Sequence, residues 1–159
     1  MSDKVKSIPE GYHALTPYLV VNDASRAIEF YKEAFGAQEL MRFDAPGGKV
    51  GHAELKFGDS VLMLSDECDE AQQRSPQALG GTPVGLMLYV EDVDAVVDRA
   101  VSAGAKLVRP VKDQFYGDRT GGVADPFGHS WYVATHVEDV SPEELQRRVA
   151  ALQASRASA

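Results

Sequence analysis

The feature that most constrains this chain is a degenerate internal repeat. Asn22-Asp23 and Glu91-Asp92 lie 69 residues apart, Gly36-Ala37 and Gly104-Ala105 lie 68 apart, and Phe57-Gly58 and Phe127-Gly128 lie 70 apart. Ser60 and Ser130 keep the last offset. Each pair falls at the same kind of boundary: an acidic cap before a helical pattern, a glycine after it, and a turn before a strand. Three landmarks agreeing within two residues imply two copies of one unit. A βαβββ unit has one sheet face without cover, and two such units together can enclose a cleft.

The local patterns fill in the units. Leu15 to Val21 reads as a strand with Pro17 near its start, which places it at a sheet edge or leaves that position unpaired, because proline cannot donate to a ladder. Asn22 or Asp23 caps a helix over 24–35, whose face carries Ala27, Ile28, Tyr31 and Phe35, and Gly36 ends it. Strands follow over 38–44, 49–57 and 60–64, with turns at Ala45-Pro46-Gly47-Gly48 and Gly58-Asp59. The polar stretch 65–81 has no convincing period and reads as a linker. The second unit repeats the plan: a strand over 84–90, a helix over 93–103 closed by Gly104, and strands over 106–111, 121–124 and 130–135. Ser141, Pro142 and Glu144 form a capping box for a tail helix over 141–153, with Leu145, Val149 and Leu152 on one side. The expected organisation is a single α+β domain over 1–159. Its first module spans 13–66, the linker 67–82, the second module 83–137, and the tail helix follows.

Length and charge narrow the partners. A chain of 159 residues buries roughly 70% of the surface its unfolded form exposes, enough for a real core. The formal net charge of −8 argues against nucleic acid or anionic membrane as partners, since both attract lysine and arginine surfaces. The first ten residues contain no apolar h-region, and no apolar run approaches a membrane span. The expected compartment is the cytoplasm. Cys68 is the one cysteine, so no intramolecular disulfide forms, and its acidic neighbours disfavour a reactive thiolate.

Several side chains could carry chemistry. His52 and Glu54 stand at i and i+2 on one strand and share a face. They could act as base and orienter, or hold a metal. Where they point depends on the Gly58-Asp59 turn. A two-residue turn sets them opposite the face of Leu62, and a three-residue turn sets them on the same face; the sequence leaves both registers open. His129 reads as a cap of the turn beside it, and His13 and His136 as surface groups. Tyr18, Tyr89, Tyr132, Phe115 and Tyr116 lie in or beside strands. Alternation puts Tyr18 with Thr16, and Tyr132 opposite Trp131. The loop 113–120 joins Phe115, Tyr116, Gly117 and Arg119, and Arg119 could pair an anionic ligand or a nearby aspartate. No phosphate loop, nucleophile elbow or Cys-x-x-Cys pair is present.

The run Val21-Asn22-Asp23-Ala24-Ser25-Arg26-Ala27-Ile28-Glu29-Phe30-Tyr31, then Phe35-Gly36-Ala37, resembles the first module of the vicinal oxygen chelate (glyoxalase/bleomycin-resistance) superfamily. Asp125-Pro126-Phe127-Gly128-His129 resembles the turn before that family's last strand. With His52-Ala53-Glu54-Leu55 and Gly58-Asp59-Ser60 the likeness extends to the PhnB-like branch, over about residues 13 to 137. The resemblance implies two βαβββ modules forming a curved mixed sheet around a cleft, commonly in a homodimer. It also implies metal-ligand positions at Thr16, Leu62, Gly85 and Tyr132. Those residue types do not hold a divalent metal, which wants imidazole and carboxylate. The expectation is therefore a small-molecule binding protein without metal or other cofactor, sequestering an aromatic or amphipathic compound. Thr16, Tyr18, Leu62, Tyr89, Phe115, Tyr116, Arg119 and Tyr132 are its expected lining residues. The alternative is a lyase, isomerase or other glyoxalase-like enzyme that uses His52 and Glu54 as acid and base, or as part of a displaced metal site.

Overall fold

A computed structural model describes residues 4–159. The first module is β1 (Tyr18–Val21), α1 (Ala24–Phe35), β2 (Gln38–Ala45), β3 (Lys49–Phe57) and β4 (Ser60–Asp66). A short helix α2 (Pro76–Leu79) interrupts the connecting stretch. The second module is β5 (Gly85–Tyr89), α3 (Val93–Ala103), β6 (Lys106–Asp113), β7 (Asp118–Ala124) and β8 (Ser130–His136), followed by α4 (Pro142–Ala157). Both modules are βαβββ units with the same strand order, β1-β4-β3-β2 and β5-β8-β7-β6. In each, the first strand runs parallel to the last and the remaining pairs are antiparallel. No helix among the described residues is long and apolar enough to cross a membrane.

The repeated landmarks have physical causes. Asp23 and Asp92 accept hydrogen bonds from the amides of Arg26 and Ala95, so each module's helix starts on an aspartate cap. Gly36 closes α1 at φ 69°, a left-handed conformation that glycine adopts without steric cost. Ala27, Ile28, Tyr31 and Phe35 are all buried, as their spacing predicts. β1 is an edge strand that starts just after Pro17.

The two sheets do not pair with each other within the chain. Each is a separate four-stranded sheet. α1 covers one, α3 covers the other, and the two helices pack together between them. A single core results: Leu55, Phe57, Leu62 and Leu64 from the first sheet, Val123, Trp131 and Val133 from the second, and Tyr31, Phe35, Val93 and Val97 from the helices. Phe57 and Trp131 stack across it at 5.5 Å between centroids.

Asp125 pins this junction. Its Oδ1 accepts from the amides of Phe127 and His129, and its Oδ2 accepts from the Tyr31 phenol at 2.6 Å and the Trp131 indole at 2.9 Å. Burial first, and then the Asp125 carboxylate, push the Tyr31 pKa well above its ordinary value, so the phenol stays a donor. The Asp125 side chain, not the expected His129, caps this turn. His129 Nε2 lies 3.0 Å from the Val20 carbonyl, tying the start of β8 to β1. The tail helix runs four residues past its expected end and buries no side chain; Leu145 and Val149 are half-buried and Leu152 is exposed.

Candidate functional site: two open sheet faces

Alternation along each strand sends one set of side chains to the helices and leaves the other set uncovered. The Gly58-Asp59 turn has two residues, since Phe57 pairs Ser60, Leu55 pairs Leu62 and Glu54 pairs Met63. Leu55 and Leu62 therefore share the core face. His52 and Glu54 share the opposite, open face with Met63 and, through the Tyr18–Met63 pairing, with Tyr18.

The first module's open face carries a linked polar group. The Tyr12 phenol donates to both Glu54 oxygens at 3.0 Å, and burial together with that carboxylate raises the Tyr12 pKa. Glu54 is only 5% exposed. His52 Nε2 stands 3.8 Å from Glu54 Oε1, and His52 Nδ1 is 3.0 Å from the Tyr18 hydroxyl. Phe43 stacks along the same imidazole at 6.4 Å between centroids. A cavity of about 420 Å³ opens here, with Thr16, Met41 and Met63 among its walls. The arrangement joins a buried carboxylate to an imidazole and two phenols, the groups general acid–base chemistry uses.

The second module's open face is different. Tyr132 pairs Met87 on one side and Gly122 on the other, so all three share a face. A Cβ on Gly85 would come within 2.8 Å of the Tyr132 ring, and a Cβ on Gly122 would crowd the Arg109 side chain at 3.3 Å. These two bare positions let the ring lie against the sheet and let Arg109 reach across β7 to it. The Arg109 guanidinium sits 5.5 Å from the ring centroid. A cavity of about 590 Å³ forms here, lined by Met87, Arg109, Lys112, Tyr116, Thr120 and Tyr132 among others. Tyr89 shares this face and donates to Asp118 Oδ2 at 2.7 Å, while His136 Nδ1 holds Asp118 Oδ1 at 2.7 Å. Phe115 stands edge-on to Tyr116 at 5.2 Å, on a loop whose Phe115 carbonyl accepts from Arg148 of α4.

Two expected lining residues turn to the core or a helix, and a third, Phe115, is not among the residues lining either cavity. Leu62 is in the core, because the two-residue turn puts it opposite His52 and Glu54. Arg119 alternates with Thr120 and turns to the helix side, where Asp94 of α3 accepts from Nε at 2.7 Å and from Nη2 at 2.9 Å and Asp113 from Nη1 at 3.2 Å. Those hydrogen bonds raise its pKa further. His136 is exposed, as expected, and its Nε2 also lies 2.7 Å from Asp139. Thr16, Tyr18, His52 and Glu54 gather on one face, and Tyr89, Tyr116 and Tyr132 on the other. The two cavities share no lining residue.

Residues absent from the sequence expectation include Tyr12, Met41, Phe43 and Met63 on the first face and Arg109, Lys112 and Gln114 on the second. Met63 was legible, since it alternates with Leu62. Arg109 and Lys112 were not. They are three apart, and two irregularities in β6 bring both to the open face opposite Gly122 and Thr120.

The donor set speaks to the metal that the superfamily resemblance implies. Among the described residues no three His, Cys, Asp or Glu side chains come together. His52 and Glu54 provide two donors from one strand, too few for the three or four protein ligands of a zinc-type site. The described residues of one chain do not fit a tightly held transition metal.

The profile of the Glyoxalase/Bleomycin resistance protein/Dioxygenase superfamily matches residues 12–133. The chain belongs to that superfamily. It is 47% identical over 136 residues to the uncharacterized protein Rv0887c of Mycobacterium tuberculosis, covering 84% of this chain and 80% of that one. Lactoylglutathione lyase GLX1 of Arabidopsis thaliana is 30% identical over 114 residues, 70% of this chain and 40% of the lyase. The crystal structure of TioX from Micromonospora sp. ML1 superposes with a TM-score of 0.62 at 28% identity, covering 81% of this chain and all of TioX.

Proposed function

We propose that this chain is a metal-independent small-molecule binding protein that works as a homodimer and holds an aromatic or amphipathic compound against an open sheet face. The observation that carries this is the second module's uncovered face, where Tyr132, Tyr116, Tyr89 and Met87 stand around and beside a cavity of about 590 Å³. Such a volume suits a drug-sized ligand, and aromatic walls with a few polar groups are the usual lining. Exposed apolar residues on both open faces, including Phe43 at 60% and Tyr89 at 59%, favour cover by a second copy, as do the unpaired edges of two short sheets. Thr16, Tyr18, His52 and Glu54 form the other half-site.

The test is metal analysis and melting of protein made in medium supplemented with zinc, nickel, iron and manganese. The expected result is sub-stoichiometric metal, a melting temperature unmoved by chelator, and a dimer mass in sedimentation at tens of micromolar. One transition metal per chain, with a melting temperature that falls on chelation, would overturn metal independence. A monomer mass would overturn the dimer.

A second reading has its own observation. The buried Glu54 carboxylate, bridged by Tyr12 and beside His52, is placed as a general base would be. Assay of hemithioacetal isomerisation, with and without added metal, separates the two. The binding reading expects none; turnover abolished by Glu54→Gln would establish an enzyme.

A further inference from the structure

We infer that the second module's open face selects an organic anion: a flat apolar body bearing a carboxylate or similar acid, its charge held by Arg109 and Lys112. The inference rests on the binding reading above and names its ligand class.

Three observations meet at this face. First, the charge there opposes that of the whole chain. The protein carries a net charge of −8, yet the cavity lining holds Arg109 and Lys112 and no carboxylate. Neither cation takes part in an ion pair among the described residues. Asp118, the carboxylate that shares the face, is already held by Tyr89 and His136.

Second, Arg109 is positioned rather than free. Gly122 leaves the path across β7 bare, and the guanidinium comes to rest over the Tyr132 ring at 5.5 Å. A guanidinium held over a ring still has N–H groups to offer an acid, and less side-chain freedom remains to be lost on binding. Lys112 joins it because the β6 irregularity places both on one face.

Third, the remaining wall suits the rest of such a molecule. Met87, Val108, Pro110 and the Tyr132 ring give an apolar surface beside the cations. Gln114 donates to the Thr120 hydroxyl oxygen at 3.0 Å, which leaves the Thr120 O–H to donate to an acceptor. Donors and cations at one edge of an apolar wall match an acid on a planar body.

The experiment compares 2-naphthoate with its neutral isostere 2-naphthamide by titration calorimetry on the full chain. The proteins are wild type, Arg109→Gln/Lys112→Gln, and Lys106→Gln as a same-strand control outside the cavity. The expected result is that wild type and the control bind naphthoate about tenfold or more tightly than naphthamide, as charge-assisted hydrogen bonds allow. In the double variant the two affinities converge while the urea midpoint and sedimentation mass stay those of wild type. Equal affinities in wild type, or a preference surviving in the double variant, would overturn the anion assignment and leave the binding reading standing. Dissociation of the double variant into monomers would assign the two cations to a subunit interface instead and likewise overturn it. If neither probe binds to wild type, the binding reading fails at this face and this inference with it.

Discussion

The Asp125 pin offers the sharpest test of how the two modules are held together. Each carboxylate oxygen accepts two hydrogen bonds, Oδ1 from two backbone amides and Oδ2 from Tyr31 and Trp131. The site is buried, with Asp125 5%, Trp131 3% and Tyr31 0% exposed. Asp125→Asn keeps the shape but provides one acceptor oxygen and one amide group. Whichever way the amide turns, it meets a pair of donors. If it faces Oδ2's partners, the phenol can rotate to accept, but the indole N–H cannot. One buried donor is stranded and the other three charge-assisted bonds become neutral, a loss of about 3 kcal/mol. Tyr31→Phe removes a single charge-assisted bond and leaves three, a loss of about 2 kcal/mol. The two changes share one network, so they should couple by about 1 kcal/mol, with Tyr31→Phe costing less in the Asn background. Trp131 is the only tryptophan, so urea unfolding followed by its fluorescence at one fixed protein concentration reads the effect where it arises. An Asp125→Asn variant within about 0.5 kcal/mol of wild type, or additivity in the double variant, would refute the claim that the carboxylate and its donors hold this junction.

Two further outcomes follow from the open face of the second module. His136 places Nδ1 on Asp118 and Nε2 on Asp139, both at 2.7 Å, and donates from both only when protonated; those hydrogen bonds raise its pKa above the ordinary 6.5. A raised folded-state pKa gives stability that is full below 6.5 and lost as the pH climbs through the folded value, so the wild-type urea midpoint should fall relative to His136→Gln over that alkaline-going window, and parallel profiles would refute it. Gly85→Ala puts a Cβ 2.8 Å from the Tyr132 ring; the ring should swing away at a cost of about 1 kcal/mol, and naphthoate affinity should drop several-fold, whereas unchanged affinity would remove Tyr132 from the site.

How far the sequence reached depended on whether local pattern or long-range pairing decides a position. The helices α1 and α3 were legible because an acidic cap, a 3.6-residue apolar stripe and a closing glycine coincide in each. The Trp131/Tyr132 division was legible because β8 is regular and alternation needs only one anchor. His52 and Glu54 were found as a pair, but their face hung on the length of one turn. Leu62 was expected in the cleft from the superfamily's ligand positions, and the two-residue turn sends it to the core instead, opposite that pair. Of the two roles open to Arg119, the structure shows the aspartate pairing, with Asp113 and with Asp94, which lies 25 residues away on α3; the loop reading missed its side of the sheet because β7 begins at Asp118. Nothing in the local pattern said that the two sheets stay unpaired within the chain. That goes with Tyr31 and Phe35 of α1 packing together with Phe57 and Trp131 of the two sheets in one core.

Register now lets the two modules be compared position by position, and the comparison explains why their open faces differ in chemistry. Glu54 lies between Met41 and Met63, and Gly122 between Arg109 and Tyr132, so the residues correspond in that order. Likewise Phe43 pairs His52 where Lys112 pairs Thr120. The third strand's acid and imidazole in the first module are a glycine and a threonine in the second. The second strand's methionine and phenylalanine are an arginine and a lysine. One module thus places its ionisable groups in the middle of the sheet under apolar edge residues, and the other places cations at the edge over a bare middle. An added carboxylate at Gly122 would neutralise Arg109 and crowd the route it takes to Tyr132. The loss of the acid in the second module is therefore what leaves its cations unpaired and reachable.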